Sequence, residues 1–219
     1  MNRVLVTGAN RGIGLELCTQ LSARGDEPVA VCRQSNAALE ALNIRVIEGI
    51  DVAVADAARA LSSRLENQPL DWLINNAGIL AVDSLDDLDF EGMERQFRVN
   101  TLGPLRITSA LLPNLPAGSK VGIVTSRMGS IEDNTSGGYY GYRLSKAAVN
   151  MAGMSLSRDL KERGIAVALL HPGMVATEMT GRNGIPPEQA ASGLISRMDE
   201  LELSSTGTFW HANGEPLPW

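Results

Sequence analysis

Tyr142 and Lys146 stand four positions apart, so on a helix both side chains project from one face, one turn apart. A phenol beside an ammonium is a proton-transferring group next to a fixed charge, the equipment of general acid–base chemistry. Tyr139 and Tyr140 are the neighbouring candidates, but neither has a lysine four residues on. Upstream, Val121-Gly122-Ile123-Val124 reads as a strand ending at Thr125-Ser126, which places a hydroxyl at the strand's carboxyl end. Taken singly, a surface tyrosine, a helix-surface lysine and a turn serine are ordinary residues; their order and placement give them weight.

A second chemistry-bearing stretch is Thr7-Gly8-Ala9-Asn10-Arg11-Gly12-Ile13-Gly14, between a short β-rich run and a helical pattern. Glycines let the backbone turn tightly and approach a pyrophosphate, and the helix start offers free N–H groups to its negative charge. Ordinary turns also use glycine, so this signal is weak alone. NAD-binding sheets usually end their second strand in an acidic residue that takes the ribose 2′-hydroxyl. Here Cys32 holds that place and Arg33 follows, with Arg11 inside the glycine loop. Two guanidinium groups suit a 2′-phosphate, so the expected cofactor is NADP(H). The plain alternative for Arg33 is a solvated loop residue, and Cys32 reads as a packed small side chain.

The elements that must position these residues follow from apolar periodicity. Strands are expected at 4–7, 29–32, 44–47, 72–74, 121–124, 165–170 and 207–211. Helical patterns lie between them: Ile13, Leu17 and Leu21 at helical spacing, then about 56–66, 90–112 with Gly103-Pro104 interrupting, 141–163 and 187–200. This alternation predicts an α/β fold, a doubly wound parallel sheet with helices on both faces and a crevice outside the carboxyl ends of the strands. Neither a repeat nor a linker divides residues 1–219, so one Rossmann-type domain is expected, with a short substrate-side segment at about 178–206.

With 219 residues the chain can bury a substantial core. A net charge of -6 argues against general nucleic-acid binding, which needs a basic face. Cys18 and Cys32 lack metal-type spacing, and His171 and His211 lie far apart along the chain, so no metal site is expected. No apolar run is long enough to cross a bilayer and no signal-type segment is visible, so a cytoplasmic protein without a membrane partner is expected.

Together, the glycine loop, Asn75-Asn76-Ala77-Gly78 after the fourth strand, Asn100, Ser126, Tyr142-x-x-x-Lys146 and Pro172-Gly173 after the sixth strand resemble the short-chain dehydrogenase/reductase family. The three residues between the first two glycines fit this family rather than the medium-chain dehydrogenases. The likeness runs from Val4 to about Thr177. Ser126-Arg127-Met128-Gly129-Ser130 and Gly137 to Tyr142 look most like its C-factor and Sniffer-type carbonyl reductase branch.

The resemblance implies an enzyme that moves a hydride between NADP(H) and a small carbonyl or alcohol substrate. Tyr142 would be the general acid or base, its phenol made easier to ionise by the Lys146 ammonium and the oxidised nicotinamide. Lys146 would also hold the nicotinamide ribose, Ser126 would bond the carbonyl oxygen, and Asn100 would hold a water relaying protons to Lys146. The interval from Ser126 to Tyr142 is longer than is common, which makes Ser130 the rival serine. Gly8, Asn10, Arg11, Gly12, Ile13 and Gly14 would bind the cofactor with Arg33. Asn76, Ala77 and Gly78 would line the adenosine side, and Asp51 and Val52 would meet the adenine, though Asp51 equally fits a turn or cap. Pro172, Gly173, Val175 and Thr177 match the loop that holds the nicotinamide carboxamide, and His171 reads as structural.

The short stretch between Thr177 and Pro187 implies an open, shallow site, or one completed by another subunit. Met128, Met174 and Met179 are its candidate lining residues, and equally ordinary core fillers. Relatives include monomers and dimers built on the helix carrying Tyr142, so a homo-oligomer stays open. A signalling or regulatory nucleotide-binding protein of the C-factor type is the alternative function.

Overall fold

A computed structural model describes residues Met1–Trp219. Seven parallel strands form one sheet: β1 (Arg3–Thr7), β2 (Glu27–Val31), β3 (Arg45–Ile47), β4 (Trp72–Asn75), β5 (Lys120–Val124), β6 (Ala166–His171) and β7 (Thr208–His211). Their spatial order is β3-β2-β1-β4-β5-β6-β7. The order reverses between β1 and β4, so the connections after these two strands leave in opposite directions and open a crevice at their carboxyl ends.

Strand side chains alternate between two cores, as a period of two requires. Val4, Val6, Ala30, Ile74, Ala168 and Leu170 face one layer, where α1 (Gly12–Ala23) and α7 (Pro187–Glu200) contribute Leu17, Leu21, Leu194 and Met198. Leu5, Val29, Val31, Leu73, Val121, Ile123 and Val167 face the other. There α3 (Ala55–Leu65), α5 (Gly103–Ala110) and α6 (Tyr140–Asp159) supply Leu61, Leu65, Ile107 and Val149. The doubly wound parallel sheet expected from the alternating pattern is the observed architecture.

Two details depart from the sequence reading. The segment 90–112 is not one helix broken only at Gly103-Pro104. It runs as α4 (Phe90–Phe97), a π-helical turn (Arg98–Leu102) and then α5. Pro104 has no N–H for the carbonyl four residues back, which is that of Asn100, so the regular ladder fails there and widens. Within the expected substrate-side segment, α7 is a core helix: Ala190, Ala191, Leu194 and Met198 are fully buried. Only the stretch before it and its first residue, Pro187, border the crevice.

Candidate active site

A cleft of about 550 Å³ crosses the carboxyl ends of the strands, lined from Arg33 and Asp51 at one end to Tyr142, Lys146 and Pro172 at the other. Its floor is the glycine loop. Gly8 and Gly12 adopt φ of +68° and +53°, where other residues are strained. A Cβ on Gly14 would lie 2.2 Å from the Gly8 carbonyl oxygen, so the loop closes on itself only with glycine there. Arg11 caps α1 with no side-chain hydrogen bond, which leaves the helix's first N–H groups to the cleft.

Asn76 does more than line the adenosine side. Its Nδ2 donates to the carbonyls of Thr7 (2.9 Å) and Gly8 (3.3 Å), while Thr7 Oγ1 accepts from Asn76 N and Ala77 N. The side chain is thereby committed to pinning the glycine loop, and Ala77 and Gly78 supply the lining beside it. Asn10 lines the cleft and donates its Nδ2 to Gln34 O. Ile13 and Val52 complete the apolar walls. Asp51 lines the cleft while accepting from Ala53 N at 2.9 Å, so the turn role and the cleft position coincide. Arg33 is exposed on the lining; Arg11 pairs with Glu178 across the cleft.

At the inner end, Tyr142 and Lys146 are 8% and 4% exposed on α6. Lys146 Nζ lies 5.7 Å from the Tyr142 ring centroid and donates to Val124 O at 3.0 Å. Burial pushes the phenol up to about 12, with the Ser126 hydroxyl pulling the other way, and burial brings the ammonium down to about 8. Among the protein's own groups, burial is the larger influence on the phenol, and Lys146 is turned toward a carbonyl.

Ser126 follows β5 and accepts from Met128 N at 3.1 Å, capping a tight turn over Arg127–Gly129. It is buried beside the cleft and does not form part of its lining. Ser130 Oγ is engaged elsewhere, donating to Trp219 O and accepting from Asp133 N. Asn100 lies behind the lining, fully enclosed in the π-helical turn. Its Oδ1 accepts from Ile79 N (2.9 Å), and its Nδ2 donates to Ile79 O (2.8 Å) and Ser145 Oγ (3.0 Å). The side chain is thus engaged through both of its polar atoms, and the main-chain carbonyl cannot take the usual α-helical bond, because Pro104 has no N–H.

Pro172 and Thr177 line the cleft, whereas Gly173, at φ +90°, and the buried Val175 support the loop from behind. Met179 lines it; Met128 and Met174 do not. The sequence reading missed Glu178, Arg182 and Pro187 on the lining, and nothing in their local pattern marks them. His171 and His211, far apart along the chain, are register partners on β6 and β7 with ring centroids 4.9 Å apart. Burial holds His171 down to about 3, with His211 adding to the effect, and no group of three metal-ligating residues forms.

A doubly wound sheet with a glycine-floored cleft at its switch point defines a nucleotide-binding α/β protein. Residues 2–186 match the short chain dehydrogenase family, and the chain belongs to it. It is 46% identical over its whole length to the whole of a Rhodococcus protein named 1-hydroxy-2-glutathionyl-2-methyl-3-butene dehydrogenase. It is 45% identical to the C-signal of Myxococcus xanthus, over 74% of this chain and 99% of that one. Among solved structures, the carbonyl reductase Sniffer of Drosophila melanogaster superposes with a TM-score of 0.92 at 32% identity, with both chains fully covered. An NADPH-bound carbonyl reductase from chicken fatty liver gives 0.89 at 30% identity, covering 100% of this chain and 99% of the other. The chain is an oxidoreductase of this family, and none of its helices is long and apolar enough to cross a membrane.

Proposed function

We propose that this protein is an NADP(H)-dependent oxidoreductase that interconverts a carbonyl and an alcohol, with Tyr142 as the proton donor or acceptor. One observation carries the reading: a buried phenol and ammonium close the inner end of the cleft whose outer end holds the glycine loop and Arg33. The close approach at Gly8 and Gly14 and the uncapped start of α1 fit a pyrophosphate. When bound, the dinucleotide supplies or accepts the hydride.

The chain's own residues do the rest. The first N–H groups of α1 take the pyrophosphate, and Arg33 and Arg11 take the 2′-phosphate. Pro172 and Thr177 hold the carboxamide end, with Gly173 and Val175 shaping the loop behind them. Lys146 holds the ribose hydroxyls, and a water on the Asn100 carbonyl returns protons to it. Ser126 donates to the substrate oxygen and Tyr142 protonates it.

The neighbouring NADPH-bound carbonyl reductase supports the cofactor choice. Arg33→Ala is expected to weaken NADPH binding about 10- to 100-fold, from the loss of charge-assisted bonds, with little effect on NADH. Equal losses measured by fluorescence titration would refute the 2′-phosphate assignment. A regulatory, purely nucleotide-binding role is the less favoured reading, since the relative matched end to end is named a dehydrogenase. Turnover assays on aldehydes, ketones, quinones and a glutathionyl alcohol separate the two, the last included because that relative is named for such a compound.

The pH dependence follows from the burial of Tyr142. A phenol held up at about 12 is protonated below that value, so it is a ready acid and an unready base. Reduction is expected to stay flat from pH 6 to about 8 and to fall above that, as the buried Lys146 loses its proton. Oxidation should climb with pH in that window, as the phenolate fraction grows about tenfold per unit. A reduction rate that rises with pH would contradict the role of Tyr142.

A further inference from the structure

The N-terminus of α6, which carries Tyr142, has no cap of its own. Gly137, Gly138 and Tyr139 enter it with φ of +64°, +62° and +52°, three successive left-handed residues, and Tyr139 offers no side-chain bond to the helix. The first helical N–H groups are satisfied from a distant segment. Tyr140 N and Gly141 N (2.9 Å) both donate to the Asp83 carboxylate, and Tyr139 N donates to the Asp83 carbonyl at 3.0 Å. Asp83 is 7% exposed, and no cation pairs with it. Its charge is offset by these amides and the helix start, an arrangement stronger than a neutral cap.

The segment bearing Asp83 is fixed in turn to α4 and the π-helical turn. Asn100 clamps both main-chain groups of Ile79, and Gln96 Oε1 accepts from Ala81 N at 3.0 Å. Ile79 and Asn100 flank the inner cleft wall at Gly78, where a Cβ would lie 3.3 Å from Asn100 Oδ1 and 3.7 Å from Lys146 Nζ. Gly141 keeps α6 close: a Cβ there would stand 2.6 Å from Gln96 Nε2 and 3.1 Å from Asp83 Oδ2. The next residue along α6 is Tyr142. The amides that Asp83 holds are the two preceding it.

We propose that Asp83 is a positioning residue that acts through the first turn of α6 to fix Tyr142 over the reacting oxygen. It caps the helix from another segment because the left-handed Tyr139 supplies no cap from within. The inference rests on the catalytic reading of Tyr142 given above. Without the carboxylate, Tyr140 and Gly141 lose their acceptor, and the turn is free to fray toward the Gly137-Gly138 hinge. A misplacement of about 1 Å at a catalytic group costs on the order of 100-fold in rate.

The test compares Asp83→Ala, Asp83→Asn and Gly141→Ala with the parent protein. The readouts are kcat, substrate KM, NADPH affinity by fluorescence, and amide exchange at Tyr140 and Gly141. Asp83→Ala is expected to lose about 100-fold in kcat, with NADPH affinity and substrate KM within about threefold and faster exchange at the two amides. Asp83→Asn preserves volume and one accepting oxygen, so it should recover part of the loss. It also carries the test if the alanine variant does not fold. Gly141→Ala, which keeps the carboxylate in the chain but crowds the turn against Gln96 and Asp83, should reproduce the kcat loss. Unchanged kcat in Asp83→Ala or Asp83→Asn despite faster exchange, or equal losses in kcat and NADPH affinity, would overturn the proposal. Tyr142→Phe in the same assay tests the underlying reading separately: full activity there removes the catalytic role of Tyr142, whatever Asp83 does.

Discussion

Tyr142→Phe is expected to reduce carbonyl turnover about 1000-fold, within the range assigned to a positioned general acid, while NADPH affinity stays within about twofold. The substitution removes one oxygen from a ring whose packing is otherwise retained, because the phenol is buried and uncharged at neutral pH. Its effect on stability should therefore be small, and thermal unfolding serves as the control. Stopped-flow measurement of the hydride step gives the cleanest reading, since release of product can hide a chemical defect. Turnover within tenfold of the parent would eliminate Tyr142 as the acid. NADPH binding without turnover in the parent, across the whole substrate panel, would favour the regulatory reading.

The sequence carried the sheet because each strand is a short aliphatic run between turn signals. The alternation of Val4, Leu5 and Val6 between two cores is written in their spacing. The glycine loop was legible for a related reason: φ above zero at Gly8 and Gly12 and the close approach at Gly14 exclude other residues, so composition reports geometry directly. Tyr142 and Lys146 stand at helical spacing, a weak signal alone; the order of the surrounding motifs is what singled them out.

What was not legible depends on contacts between distant segments. Nothing near Asp83 marks it, since it is one of four aspartates between positions 83 and 89; its role exists only once the β4–α4 connection lies against the start of α6. The His171–His211 pair formed because β6 and β7 are neighbours in register, which their separation along the chain conceals. The π-helical turn at Asn100 was partly readable from Pro104, yet the interruption was assigned to the Gly103-Pro104 step itself rather than to the carbonyl one turn earlier. How burial acts on the phenol is not legible for a physical reason: a sequence shows that a cation is near but not how much water has been removed from both groups.

That desolvation implies that the buried Lys146 ammonium destabilises the fold at neutral pH, and Lys146→Met is the variant that exposes it. Burial brings the ammonium from its ordinary 10.5 to about 8, which corresponds to roughly 3 kcal/mol of cost at neutral pH. The variant leaves Val124 O without the Nζ donor, a loss of about 1 kcal/mol. A net gain of about 2 kcal/mol remains, or an increase in Tm of roughly 4–8 °C for a chain of this size. The sign can be checked by pH. Below about 8 the lysine is charged in both folded and unfolded chains, and the parent carries the full penalty. Between about 8 and 10.5 the folded chain sheds the proton while the unfolded chain keeps it, so the parent gains stability and the advantage of the variant shrinks. Turnover should fall about 100-fold or more in the same protein, with weaker NADPH binding from the lost ribose contacts. Calorimetry at pH 7 and pH 9.5 beside the activity assay tests both halves. A variant that is less stable at pH 7, with no narrowing of the difference at pH 9.5, would show that Lys146 supports the fold rather than straining it.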